Sequence, residues 1–124
     1  MKNSVERRIL VVEDEFLIRL TLSEALSDEG FSVLEAENGD EALSILQNGT
    51  DLDLLVTDIQ LPGMLDGYAL VDAMRQKRPE LPVIFMTGRP DPRERAASPI
   101  EVFIAKPYTL DEICNAAKRL ITAP

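Results

Sequence analysis

Five short apolar runs, four of them followed by a segment with helical spacing, constrain the fold of this chain more than any other feature. The first run is Ile9-Leu10-Val11-Val12, and the segment after it spaces its apolar residues as a helix does until Gly30. Because the runs are mostly apolar and show no clean alternation, both faces of the sheet must be covered. The pattern predicts a doubly wound α/β fold with a five-stranded parallel sheet and helices on both faces. Strands are expected at 9–12, 31–36, 52–57, 82–86 and 102–105, and helices at 15–29, 40–47, 67–77 and 110–121.

The composition restricts the chemistry that such a domain can perform. The chain has 124 residues, which suits one domain with one core. It contains no histidine and one cysteine, Cys114, which argues against a disulfide scaffold, a histidine-ligated zinc site and catalysis by a Ser-His or Cys-His pair. Any chemistry must therefore rely on carboxylates, hydroxyls and amines.

The charge and the ends of the chain restrict its partners. There are 13 basic and 22 acidic residues, a net charge of −9, which opposes binding to nucleic acid phosphates or an anionic membrane surface. The first residues lack the apolar core of a signal peptide, and no apolar run approaches the ~18 residues that span a bilayer. We therefore expect a cytoplasmic protein that binds neither nucleic acid nor membrane.

Polar side chains follow four of the predicted strands at their carboxyl ends, where doubly wound sheets bind ligands. Glu13 and Asp14 follow the first strand, Asp58 the third, Thr87 the fourth and Lys106 the fifth. Taken singly, each has an ordinary explanation as an acid in the first helical turn, a capping carboxylate, a turn hydroxyl or a solvated lysine. Together they place three carboxylates, a hydroxyl and an ammonium group at one edge, which predicts a functional site.

This set of side chains suits phosphoryl transfer. Clustered carboxylates repel one another unless a cation joins them, and Mg2+ takes about six oxygens from carboxylates, carbonyls and water. Glu13, Asp14 and Asp58 are the candidate carboxylate ligands, with a backbone carbonyl from the loop after Asp58. A metal on one side and Lys106 on the other would compensate the negative charge of a phosphoryl group, which is therefore the expected ligand. Asp58 is the candidate nucleophile. No P-loop or dinucleotide glycine motif indicates a bound nucleotide.

Further motifs follow two of these site residues along the chain. Leu61-Pro62-Gly63-Met64 and Asp66-Gly67 follow Asp58, and Pro107 follows Lys106. From about residue 8 to residue 120, the chain resembles the receiver domain of two-component response regulators. The resemblance implies a flavodoxin-like strand order 2-1-3-4-5, one receiver domain over 1–124, and a cis Lys106-Pro107 bond.

The resemblance also assigns roles to the site residues. Asp58 would be the phosphoacceptor, Thr87 and Lys106 would contact the phosphoryl group, and Mg2+ would bind Glu13, Asp14, Asp58 and the Gln60 backbone carbonyl. The donor would be a phosphohistidine on a sensor histidine kinase or a histidine phosphotransfer protein. Such a domain is a regulatory phosphoacceptor rather than an enzyme, since it assists only its own phosphorylation and dephosphorylation. It would signal through phosphorylation-dependent contacts with an unidentified protein partner.

The sequence departs from the common receiver pattern in the loop after Asp58 and at the fourth strand. Leu65 makes the loop one residue longer, and Phe85-Met86-Thr87-Gly88 partly resembles a subgroup with a Phe-Ala-Thr-Gly signature. Segment 92–98 leaves less than two turns for a helix, and we expect it to be short or mobile, with an ordinary helix of different start as the alternative.

The resemblance also suggests roles for Phe103, Gln60 and Arg89, and two of these residues have an ordinary alternative. Phe103 occupies the position of an aromatic switch residue in receivers, yet an aromatic on a strand also suits the core. Gln60 and Arg89 match two variable positions that tune phosphoryl lifetime in the family, and Arg89 also fits a solvated charge.

Two other classes of function stay open at this point. A small Mg2+-dependent phosphohydrolase also uses an aspartate nucleophile, but it generally carries a general acid two residues later, where this chain has Gln60. A receiver-like module that is never phosphorylated is the second alternative, which the intact acid, threonine and lysine set disfavours. The sequence also leaves open whether phosphorylation drives homodimerisation and whether the chain stands alone or belongs to a longer protein.

Overall fold

The sheet of this protein has the predicted five parallel strands in the predicted order. The computed structural model describes residues 6–88 and 98–122. The strands pair in the order β2-β1-β3-β4-β5, which confirms the flavodoxin-like topology. They are β1 (Arg8–Val12), β2 (Ser32–Ala36), β3 (Leu54–Asp58), β4 (Val83–Thr87) and β5 (Glu101–Ala105).

Helices cover both faces of the sheet, as predicted. One face carries α1 and α4, and the other carries α2 and α3. Within the described ranges the helices are α1 (Phe16–Asp28), α2 (Gly39–Gln47), α3 (Gly67–Met74) and α4 (Leu110–Thr122). No helix among the residues described is long and apolar enough to cross a membrane. Of the segment expected to be a short helix, 92–97 lies outside the described residues and Ser98 is not helical.

Strand β1 shows why four successive residues of a strand can all be apolar. Ile9 and Val11 point into the core under α1 and α4, whereas Leu10 and Val12 point into the core under α2 and α3. All four are completely buried, because successive side chains of a strand point to opposite faces and both faces are covered.

Side-chain caps mark the start of α2, α3 and α4, whereas α1 begins after Glu15 without one. The Asn38 carboxamide oxygen accepts the Glu41 N–H at the start of α2, and the Asp66 carboxylate accepts the Ala69 N–H at the start of α3. At α4, Thr109 and Glu112 exchange side-chain to backbone hydrogen bonds, the reciprocal arrangement of a capping box.

Two predicted boundaries differ from the structure by more than one residue, each for a local reason. The third strand begins at Leu54 rather than residue 52, because the Asp53 carboxylate accepts the Arg8 N–H at the sheet edge. Leu52 is buried without being part of the strand. The helix predicted to reach residue 77 ends at Met74, since the N–H groups of Gln76 and Lys77 bond three residues back and tighten the last turn.

Candidate functional site

The carboxyl edge of the sheet brings together residues from three separate strand ends. Asp58 is the last residue of β3, Glu13 follows β1 and Lys106 follows β5. The Lys106 Nζ lies 2.7 Å from Asp58 Oδ2 and 3.8 Å from Glu13 Oε1. The lysine therefore bridges two carboxylates that are 45 residues apart in sequence (58 − 13), which is the convergence expected from the order of strands.

Asp58 lies at the floor of this site. Its exposure is 7%, because β3 is the central strand and both of its faces are covered. Its two carboxylate oxygens have different partners, since Oδ2 accepts a hydrogen bond from Lys106 and Oδ1 accepts the Gln60 N–H at 3.4 Å. Hydrogen bonds from Lys106 and from the Gln60 N–H thus fix the orientation of the Asp58 carboxylate.

Glu13 is more deeply buried than Asp58, with an exposure of 2%. Its pKa is raised from 4.5 to about 7, chiefly because burial removes water from the carboxylate. A hydrogen bond with the Asp14 side chain and the charge of Asp58 also raise it, whereas the Glu15 N–H and Lys106 lower it. Without a further cation, the two carboxylates are short of positive charge.

Lys106 is the cation of the site. Burial by itself would lower the pKa of the Lys106 ammonium. The hydrogen bond to Asp58 and the negative charges of Asp58 and Glu13 outweigh burial, so the pKa is raised overall. The charges of the same three side chains also act on Tyr108. Burial raises the pKa of its phenol, the charge of Lys106 lowers it, and the charges of Glu13 and Asp58 raise it further. We therefore expect a charged lysine and a neutral phenol at neutral pH.

The residues fit a divalent cation, although they do not form a ready-made cluster. Within 6–88 and 98–122, no three acidic or thiol side chains lie close enough together to bind a metal by themselves. However, Glu13 Oε1 is buried without a hydrogen-bond partner, and such an oxygen gains most from a cation. Because Mg2+ accepts carbonyl and water ligands besides carboxylates, Glu13 and Asp58 with the adjacent Asp14 suit that ion.

Thr87 reaches the same edge through the pairing of β4 and β5. It is half-buried, stands opposite Ala105 in the register, and its carbonyl accepts the Lys106 N–H at 2.8 Å. Among the described residues, a methyl group on Gly88 would meet only Lys106 Cδ, at 4.0 Å. The Lys106-Pro107 bond is cis, as the resemblance implied.

The remaining predicted site residues have mixed outcomes. Asp14 and Gln60 are exposed beside the site, and their proposed metal contacts stay predictions. Phe103 stacks on Phe85 with ring centroids 4.9 Å apart, so its ring packs against the core, and its switch role is untested. Arg89 lies outside the described residues.

Arg19 is a residue that the sequence analysis missed. Its Nη1 donates to the Glu13 carbonyl at 2.8 Å, its Nε pairs with Glu35 at 3.0 Å, and its guanidinium lies over the Phe16 ring. Arg19 thus ties α1 and β2 to the acidic end of β1. A basic residue within the apolar spacing of the first predicted helix, one turn after the acids, was the available signal.

Gly67 was noted as part of a motif, but its physical role appears only in three dimensions. Its N–H donates to the Ile59 carbonyl at 2.7 Å, and a Cβ at this position would lie 2.5 Å from the Asp58 carbonyl oxygen. Helix α3 therefore starts directly against the backbone of Asp58, and only glycine leaves room for that approach.

Comparison with known proteins identifies the family. A family model for the response regulator receiver domain matches residues 9–118. The chain belongs to this family. It is therefore a regulatory phosphoacceptor domain of two-component signalling, a class that generally depends on Mg2+. The narrower Phe-Ala-Thr-Gly subgroup stays a prediction.

Individual relatives agree with the family. This receiver domain is 37% identical over 118 residues to the DNA-binding transcriptional regulator NtrC of Salmonella typhimurium, covering 92% of the chain but 24% of NtrC. The solved receiver domain of the hybrid histidine kinase CckA is 33% identical, with a TM-score of 0.79 over 93% of this chain and 99% of that one. A CheY-like receiver from Methanospirillum hungatei JF-1 has a TM-score of 0.84 at 25% identity, over 94% of both chains.

Proposed function

We propose that this receiver domain accepts a phosphoryl group on Asp58 in a Mg2+-dependent reaction. The observation that carries the proposal is the position of Asp58. Its carboxylate stands at the end of the central strand, 2.7 Å from the Lys106 ammonium and beside a second buried carboxylate, Glu13. The family of the chain supports the same chemistry.

In the proposed transfer, an Asp58 carboxylate oxygen forms a bond to the phosphorus of a phosphohistidine, and the phosphorus–nitrogen bond breaks. The electron pair of that bond leaves with the imidazole, which takes a proton from solvent, and the product is an acyl phosphate. Lys106 compensates charge on the phosphoryl oxygens, and the Thr87 hydroxyl donates a hydrogen bond to one of them. These roles require no histidine in the chain, which has none.

Glu13, Asp14, Asp58 and the Gln60 carbonyl are the residues that would hold Mg2+. The ion would supply positive charge opposite Lys106 when bound, so that the transferring oxygens are compensated on two sides. The Gln60 N–H bond to Asp58 Oδ1 supports this assignment, because it fixes the loop that carries the Gln60 carbonyl beside the carboxylate.

The donor and the setting are also proposals. We propose a sensor histidine kinase or histidine phosphotransfer protein as donor, and one relative of this chain is itself the receiver of a hybrid histidine kinase. The net charge of −9 supports protein partners rather than nucleic acid or membrane. Residues 1–124 would act as one cytoplasmic receiver domain that assists only its own phosphorylation and dephosphorylation.

Intact mass after incubation with Mg2+ and acetyl phosphate tests the proposal. We expect a labile gain of about 80 Da, one phosphoryl group, in the unmodified chain. The gain should be absent from Asp58→Asn and from samples in which a chelator removes Mg2+. Asp40→Asn, which changes an exposed aspartate on α2, is the matched control and should keep the adduct.

Each other outcome contradicts the proposal. An adduct that survives in Asp58→Asn would place the acceptor elsewhere. Continuous release of many phosphates per chain would favour the phosphohydrolase. Absence of the adduct with both acetyl phosphate and a phosphohistidine protein would favour a binding module that works without phosphorylation.

A further inference from the structure

The loop between Asp58 and α3 is anchored at both ends next to the phosphoacceptor. At its start, the Gln60 N–H donates to Asp58 Oδ1. At its end, Asp66 caps α3, and Gly67 packs on the Asp58 backbone. A displacement of this loop would therefore also move Asp58 and the Gln60 carbonyl.

A third anchor lies near the end of the loop, two residues before α3, and involves Leu65, the residue by which this loop exceeds the common receiver length. Leu65 lies against Gly39, the first residue of α2. A Cβ on Gly39 would lie 2.7 Å from Leu65 Cβ and 3.0 Å from the Leu65 carbonyl oxygen. The contact is therefore made by atoms at or next to the loop backbone, which cannot turn aside as the end of a side chain can.

The glycine at position 39 is explained by this contact. Its φ is not in the left-handed region, where Gly30, Gly49 and Gly63 lie, so its conformation is open to other residues. Gly39 is buried, and Asn38 fixes the start of α2 through its cap. A side chain at this position would force α2 or the Leu65 backbone to move, so the missing side chain serves the close approach of the loop.

We propose that Leu65 is a positioning residue that fixes the Gln60 carbonyl and the Asp58 carboxylate through its contact with Gly39. This inference rests on the proposed function, and it adds α2 to the elements that set the geometry of the site. The extra residue thus makes a specific contact with the second helix of the domain.

Gly39→Ala tests the contact from the helix side. The added methyl group pushes the Leu65 backbone, so we expect the rate of acetyl phosphate labelling to fall about 10-fold to 100-fold, the range that a displacement of roughly 1 Å near reacting groups produces. The Mg2+ concentration at half-saturation, followed by NMR amide shifts, should rise in the same variant. Ser44→Ala, an exposed change on α2, is the control and should alter neither quantity.

Variants of Leu65 separate positioning from general damage to the fold. With Leu65→Gly the opposing Cβ is gone and only the carbonyl oxygen at 3.0 Å remains, so Gly39→Ala should slow labelling several-fold less than it does in the unmodified chain. With Leu65→Ala the Cβ remains, so Gly39→Ala should keep its full effect. Leu65→Gly alone also removes the anchor without any clash, and it should slow labelling even if Gly39→Ala fails to fold.

Two results would overturn the inference. One is a Gly39→Ala effect that is equal in the unmodified and Leu65→Gly backgrounds. The other is a lower unfolding temperature for Gly39→Ala with unchanged Mg2+ half-saturation and labelling rate, which would make the contact purely structural.

The amide shifts of Asp58 and Gln60 provide a readout independent of phosphorylation. If the positioning is right, Gly39→Ala moves both shifts, and in the Leu65→Gly background it moves them less. If the proposed function is wrong, no variant gains mass, including the unmodified chain, yet this pattern of shifts still holds. Failure of the proposed function and failure of the positioning contact are therefore distinguishable.

Discussion

At the scale of single residues, the balance of charge around Glu13 is the most unusual feature of the molecule. The carboxylate is almost completely buried, one of its oxygens lacks a hydrogen-bond partner, and Lys106 is shared with Asp58. Keeping Glu13 ionised in the metal-free protein therefore costs free energy of folding. A bound divalent cation would remove this cost.

The pH dependence of stability follows from that cost. Unfolded Glu13 loses its proton near pH 4.5 and folded Glu13 near pH 7, so between these values the folded state binds more protons. The free energy of unfolding should fall as pH rises through this window, by about 3 kcal/mol at most for this group. Urea unfolding of the metal-free protein from pH 4.5 to 8, compared with Glu13→Gln, measures the contribution.

Glu13→Gln should be the more stable protein at pH 8 in the presence of a chelator, because the amide stays neutral at that pH. Saturating Mg2+ should reduce the difference in free energy of unfolding between Glu13→Gln and the unmodified chain. Equal stability of the two proteins at every pH would show that Glu13 is solvated rather than desolvated.

At the scale of secondary structure elements, the site depends on how closely α3 approaches β3. Gly67 begins the helix, and a Cβ there would lie 2.5 Å from the Asp58 carbonyl oxygen and 2.8 Å from Ile59 Cα. Both are backbone atoms of residues at the end of the central strand, so the strand end must move if the glycine is replaced.

Gly67→Ala should therefore lower the free energy of unfolding by about 1–3 kcal/mol, the usual cost of overpacking. Gly88→Ala is the matched control, since its methyl group would lie 4.0 Å from Lys106 Cδ, and we expect a change within about 0.5 kcal/mol. Urea unfolding of both variants decides the matter. Similar losses at the two positions would indicate that glycine flexibility, not the close approach, is what matters.

At the scale of the whole molecule, the sheet separates two cores, and Cys114 reports on one of them. Its exposure is 6%, and it belongs to the core under α1 and α4. Burial raises the pKa of its thiol, and the charge of Glu29 adds to this. Both effects keep the thiol protonated and unreactive.

Cys114 should therefore react with a thiol reagent only when the domain opens. We expect labelling of the native chain to be at least about 100-fold slower than labelling in urea, since the reaction must wait for unfolding. The rate of both reactions is measured from the absorbance of the thiolate that the reagent releases. Rapid labelling without denaturant would mean that α4 detaches locally from the sheet.

Much of this architecture was predictable from local sequence patterns. Apolar runs such as Ile9-Leu10-Val11-Val12 indicated doubly covered strands, and the strand ends at Asp58 and Lys106 indicated the edge where chemistry would occur. Strand boundaries were less accurate, because a side chain such as Asp53 bonds a strand that is distant in sequence. Periodicity describes neighbours along the chain and contains no information about such contacts.

Residue type and spacing were enough to predict the fold class, the order of polar residues along the carboxyl edge and the family resemblance. The packing in three dimensions was needed to show that Glu13 is buried with an oxygen lacking a hydrogen-bond partner, that Arg19 donates to the Glu13 carbonyl, and that Leu65 contacts Gly39. Burial and close approach arise from the packing of segments distant in sequence. Their consequences for pKa and site geometry therefore appear only once those segments meet.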